Sequence, residues 1–152
     1  MFMLNPEHDK SSYVLLPDEN RNKYDIEDIK EKHGERYLYV LYEVATYEIS
    51  RNASMLLIYA TLNKNLAIDA YVEKYYLITL DKSNNPISSL EIAVYEADWG
   101  SELFKFCEIN EDLDIEIRIR KLTEDLDTGQ NTEEEYFESY TIDQKGIIQK
   151  RL

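Results

Sequence analysis

"LDIEIRIRKL", residues 113–122, decides how the rest of the chain is read. Leu113, Ile115, Ile117 and Ile119 alternate with Asp114, Glu116, Arg118 and Arg120. That period of two predicts a β-strand buried on one face and wet on the other. Working outward, similar runs follow one another from Arg36 to the end. "YLYVLYEVATYEI" (37–49), "MLLIYATL" (55–62), "YVEKYYLITL" (71–80), "ISSLEIAVYE" (87–96), "ELFKFCEI" (102–109), "EYFESYTI" (135–142) and "IIQKRL" (147–152) are rich in Tyr, Ile, Val and Leu. Short polar turns separate them. The expected class is mainly β: an antiparallel meander, left open, stacked as a sandwich or curled into a partial barrel.

Two turns share one pattern. "YLITLDKSNNPISSL" and "YTIDQKGIIQKRL" both run Tyr-x-Ile, then Asp and a polar turn, then Ile, which reads as one hairpin solution used twice. The first third differs. "DIEDIKEKHGE" spaces Ile26 and Ile29 three apart, with Asp25 as cap and Gly34 as stop, and predicts a short helix over 25–33. Residues 1–22 are polar, hold two of the three prolines, and read as extended or loosely ordered. The expected organisation is a single domain over 1–152. Residues 1–35 form an N-terminal extension with a short helix, and 36–152 an antiparallel β-sheet core.

The 152 residues suffice for a real core. No run nears the roughly 18 apolar residues of a membrane span. "MFMLNPEHDK" carries no basic-then-apolar leader pattern, and the lone Cys107 excludes an internal disulfide and a cysteine-only metal cage. A cytoplasmic protein is expected. Acids outnumber bases 31 to 17, for a net charge of −14. Between Glu91 and Glu138 there are 16 acids against 4 bases. Such a field repels nucleic acid and anionic membranes and attracts a basic protein, although solubility alone also explains it.

"EDLDTGQNTEEEYFE" (124–138) offers Asp125, Asp127, Asn131 and Glu133 as oxygen ligands around Gly129. An EF-hand register from Asp125 puts Gln130 where Gly is needed and Tyr136 where Glu is needed. The expectation is a hairpin loop and no metal. Catalytic groups are sparse. His8 lies in the polar start, and His33 near the end of the predicted helix. Cys107 sits between apolar neighbours and reads as a buried thiol. With 4 Gly there is no phosphate loop, and no cofactor is expected. The 13 tyrosines read mostly as half-buried strand residues with hydroxyls reaching water, and secondarily as a binding face. Trp99, the one tryptophan, falls in the turn "EADWG", where it either plugs the core or stands exposed as an anchor.

Over residues 71–152 the strand, Asp-led turn, strand pattern of "YYLITLDKSNNPISSLEIAVYE" and "YTIDQKGIIQKRL", with its acidic second half, loosely resembles small acidic β-rich immunity proteins of bacterial interbacterial toxin systems. The resemblance implies a non-catalytic inhibitor that binds one cognate toxin, often basic, and covers its active surface. It carries over no individual contact residue. The residues expected to meet a basic partner come from charge and placement: Trp99, Asp114, Glu116, Glu124, Asp125, Asp127, Glu133, Glu134 and Glu135. A structural or scaffold β domain, oligomeric through an exposed sheet edge, is the alternative. An enzyme or small-ligand binder in a barrel mouth is the third reading.

Overall fold

The computed structural model describes the backbone of residues 2–4 and the whole of residues 9–152. His8 lies outside the described residues. In chain order the elements are β1 (Phe2–Leu4), β2 (Val14–Leu15), a 3-10 helix (Asp18–Lys23), α1 (Glu27–Lys30), β3 (Lys32–His33), β4 (Arg36–Tyr37) and β5 (Tyr39–Ser50). There follow β6 (Ala53–Leu62), β7 (Tyr71–Asp81), β8 (Pro86–Asp98), β9 (Ser101–Ile109), β10 (Asp114–Glu124), β11 (Asn131–Ile142) and β12 (Ile148–Lys150). From β5 to β12 every strand pairs antiparallel with its neighbour in the chain, and the large sheet is not closed. The sheet is the expected meander.

Alternation explains why the strands differ in composition. On β6, Met55, Leu57 and Tyr59 enter one core, while Leu56, Ile58 and Ala60 enter a second on the opposite face. β7 does the same, with Tyr75 and Leu77 on one side and Val72, Tyr76, Ile78 and Leu80 on the other. A strand buried on both faces needs a continuous apolar run, as "MLLIYATL" has. Ile115, Ile117 and Ile119 of β10 join the first core, together with Cys107, Ile109 and Ile142. The second half of the sheet therefore curls over one face of the first half. β8 and β9 pair only from Val94–Lys105 to Asp98–Ser101, and below that β9 pairs instead with β1. A bulge at the fully buried Ile92, between the pairs Tyr75–Ala93 and Tyr76–Glu91, adds local bend.

The other face of β5–β7 is covered by the N-terminal segment, which is more than the loose extension the composition suggests. Leu16, Tyr24, Ile26 and Ile29 are buried against Leu41, Ile58 and Ile78. Arg21 is 2% exposed. Its guanidinium donates to the carbonyls of Ile29 and Tyr39 and to Asp18 Oδ1, and it lies 4.1 Å from the centre of the Tyr37 ring. The predicted helix over 25–33 shrinks to the single turn of α1. Asp25 does not cap it and instead pairs with Lys30 at 2.9 Å. Gly34, at φ +66°, turns the β3–β4 hairpin instead of ending a helix, so His33 lies on an exposed strand. α1 is held down by Asp28, whose Oδ2 accepts from Tyr76 at 2.8 Å and Lys74 at 3.2 Å. Burial disfavours the Lys74 charge, but Glu91, Tyr39 and Asp28 outweigh it and carry its pKa up to about 12.

The turn solution expected twice occurs three times. Asp81 Oδ1 accepts the amides of Ser83 and Asn85, and Asp143 Oδ1 those of Lys145 and Ile147. Asn110 Oδ1 takes the amides of Asp112 and Asp114 in the same way. The fourth residue of each turn is left-handed: Asn84 (φ 61°), Gly146 (φ 84°) and Leu113 (φ 63°). Leu113 thus belongs to the turn before β10, although its side chain still packs on the first core. Gly146 also lets its turn close onto the sheet, because a Cβ there would stand 3.0 Å from Ile87. Thr79 Oγ1 donates to the Gly146 carbonyl, and Ser50 Oγ to that of Gln144 at 2.8 Å. These bonds clasp the curl.

Four tyrosines of β5–β7 are more deeply buried than expected, while Tyr42 is half-buried and Tyr47 and Tyr71 are exposed. Tyr39, Tyr59, Tyr75 and Tyr76 belong to the cores. The hydroxyls of the last three bond to side chains instead of reaching water: Tyr59 to Glu73, Tyr75 with Tyr13, and Tyr76 to Asp28. Burial raises all three above the ordinary phenol range.

Candidate functional site

The β8–β9 hairpin reverses through Trp99 and Gly100, between the paired Asp98 and Ser101. Gly100 has φ +73°, and a Cβ there would meet the Glu124 carbonyl oxygen and the Leu126 side chain, each at 3.2 Å. Glu124 N–H donates to the Gly100 carbonyl at 2.7 Å. The glycine is needed because the β10–β11 hairpin presses on this turn. Trp99 is 77% exposed. Its backbone N–H donates to Asp98 Oδ1 at 2.6 Å and its indole Nε1 to Asp69 Oδ2 at 3.0 Å. The core-plug reading of Trp99 is thereby overturned. The Asp69 carboxylate holds the large ring at the surface, and Asp98 holds the backbone that carries it.

A cleft of about 490 Å³ opens beside the turn. Asp98, Glu102, Glu124 and Glu133 line it, with no lysine or arginine among its lining residues. A shallower recess runs along Ile68, Asp69, Tyr71 and Trp99. Leu126 adds a second exposed apolar side chain. Behind them a row of rings crosses the sheet: Tyr71 to Tyr95 at 5.3 Å, Tyr95 to Phe104 at 4.9 Å, Phe104 to Phe106 at 6.1 Å.

The residues expected to meet a partner divide by position. Trp99, Glu124, Asp125, Asp127 and Glu133 gather at this end. Asp114 and Glu116 do not, since they begin β10, about 33 Å of strand from its far end. There Arg151 reaches Asp114 at 2.7 Å, and Ser139 donates to Glu116 at 2.5 Å. On β11, Glu135 pairs with Arg118 at 2.8 Å and Glu133 with Arg120 at 2.6 Å, while Glu134 lies opposite Lys121. Asp125 serves its own loop by accepting the amides of Asp127 and Thr128. Those backbone bonds lower its pKa, and the Arg120 hydrogen bond lowers that of Glu133. Residues 124–131 form the expected hairpin loop. Asp69, Asp98, Glu102 and Leu126 complete the site and were not anticipated from sequence. Asp98 and Glu102 flank Trp99 closely enough to have been, whereas Asp69 is 30 residues away.

The arrangement supplies hydrogen-bond acceptors and apolar surface. Ammonium and guanidinium groups are the donors that suit it, with an apolar body to cover the indole. Cys107 is buried, and burial pushes its pKa up to about 12, so it offers no thiolate. Among the described residues, no group of three or more His, Cys, Asp or Glu is placed to hold a metal ion, and no helix is long and apolar enough to cross a membrane. No protein-family model matches the chain, and no curated protein or solved structure does.

Proposed function

We propose that this chain is an acidic protein-binding inhibitor, an immunity protein that neutralises a basic toxin by covering its active surface. One observation carries the reading. The sole tryptophan is exposed and held by Asp69 and Asp98, in the turn beside a cleft lined by four carboxylates. An exposed large ring costs solubility and contributes nothing to the core, but it suits an interface anchor. The carboxylates around it steer a basic surface and accept its Lys and Arg donors. Asp114 and Glu116, already engaged at the opposite end, contribute only to the long-range field.

The test is binding kinetics against the basic protein recovered with this chain at low salt and purified. Trp99→Ala should raise the dissociation rate roughly tenfold or more, as loss of an anchor does. The triple variant Asp98→Lys, Glu102→Lys, Glu124→Lys should slow association and flatten its salt dependence. If both variants bind as the parent does, this end of the molecule is not the docking surface and the proposal fails.

A further inference from the structure

The β11 strand leaves one long edge open. β12 covers only Tyr140, Thr141 and Ile142, and Arg151 N–H reaches the Ser139 carbonyl. Beyond that point, residues 131–138 pair with β10 on one side and with nothing on the other, among the described residues. The bonding alternation is set at both ends of the hairpin. Ile142 N–H donates to the Leu113 carbonyl, and Asp125 N–H to that of Gln130. Even-numbered residues of β11 therefore bond to β10, and Glu133, Glu135 and Phe137 turn their N–H and C=O groups outward.

We infer that this edge accepts an extended basic segment of the partner as an added antiparallel strand. The inference rests on the basic partner proposed above and supplies its mode of attachment. Exposed edges pair with further strands unless something prevents it. Here the guard is charge: Glu133, Glu134, Glu135 and Glu138 lie within six residues. A second copy brought antiparallel to this edge would set glutamates against glutamates, which is unfavourable. A strand with Lys or Arg at alternate positions meets the opposite situation. Arg118, Arg120 and Lys150 pair with Glu135, Glu133 and Glu138, but 16 acids against 4 bases between Glu91 and Glu138 keep the surroundings of the edge strongly negative. Phe137, 65% exposed, and Tyr136 offer one apolar contact on each face of the added strand. The edge runs toward the cleft beside Trp99, since Asn131 and Glu133 belong to both. One partner could thus lay a strand on β11 and place a basic turn in the cleft.

The probe is a synthetic peptide of about nine residues alternating Lys and Val. It is compared with a Pro-interrupted peptide of equal charge and with one N-methylated at alternate residues in either register. Expected are saturable binding of the first peptide, protection of the Glu133, Glu135 and Phe137 amides from hydrogen exchange, and roughly tenfold or weaker binding of the Pro-interrupted peptide and of one N-methylated register. Glu135→Pro removes an outward N–H together with the carboxylate and should abolish that protection, while Glu135→Gln, which loses the charge but keeps the N–H, should retain it. The N-methyl series leaves the protein unaltered, so it decides the matter even if the proline variant is unstable. Equal affinity for all basic peptides, or no binding, overturns strand addition. If Trp99→Ala weakens partner binding while the edge amides stay unprotected, the edge proposal fails and the inhibitor reading stands. Protection of the same amides in the protein alone, rising with concentration alongside a doubled mass, assigns the edge to a second copy and also overturns the proposal.

Discussion

Tyr59 donates its hydroxyl to Glu73 Oε1 across 2.5 Å, and both side chains are buried. Lys10 completes the site, 3.5 Å from the same carboxylate and over the Tyr59 ring. Tyr59→Phe removes the shorter of these two bonds without emptying the space. It should destabilise by about 1–3 kcal/mol, the cost of leaving a buried acceptor short of a partner. Urea denaturation checks this, and a loss below about 0.5 kcal/mol would show that the remaining partners, Lys10 and Tyr71, suffice.

Arg21 is the fastening of the N-terminal segment. Arg21→Met keeps most of the apolar stem but strands the carbonyls of Ile29 and Tyr39. A loss of about 2–4 kcal/mol is expected, with hydrogen exchange rising first around α1. Uniform exchange across the sheet would contradict that localisation.

Leu113 occupies the left-handed position that Asn84 and Gly146 fill in the sister turns. Its strain, about 1–2 kcal/mol, opposes its packing on the core. Leu113→Asn should therefore be near neutral, within about 1 kcal/mol, while Ile115→Ala nearby should cost about 2–5 kcal/mol. Thermal melts of the two variants side by side are the measurement.

Stability should fall in acid. Asp28, Asp81, Asp125, Glu133 and Glu138 are all held below their ordinary pKa values. For Asp28, burial acts to raise the value, but the Tyr76 hydrogen bond and Lys74 together prevail; for Asp81 the Asn85 amide leads. A depressed carboxylate stabilises fully above its unfolded pKa, and that contribution is lost as pH drops through the folded value. Urea midpoints should hold steady from neutral pH to about 5, then decline from about 4 downward. Asp28→Asn should shrink the decline, and an unchanged acid limb would refute its part.

Much of the fold was legible because period-two patterning has one reading. The strand at 113–122 and its partners lie where alternation put them, with ends moved by a residue or a few. What failed did so for identifiable reasons. Ile26 and Ile29 look like one helix face, yet both are buried because the segment follows the sheet surface, and only one turn is helical. The third turn went unseen because "NEDLD" carries leucine where the pattern suggests Gly or Asn. At the site, local sequence placed Trp99 in a turn but could not decide which way it pointed. That depends on Asp69, which the fold brings in from the connection between β6 and β7. The pairing of Asp114 with Arg151 is hidden for the same reason.

The chain-order pairing of β5 to β12 has a kinetic consequence. Each hairpin closes only a short loop, so little entropy is lost before its bonds form. The expensive contacts are those joining distant parts of the chain: β1 on β9, Ser50 to Gln144, and Thr79 to Gly146. They should form after the rate-limiting barrier. Stopped-flow chevrons would then show Thr79→Val and Ser50→Ala speeding escape from the native state while leaving the refolding limb in place. The last contacts made would set how long the native state survives once formed.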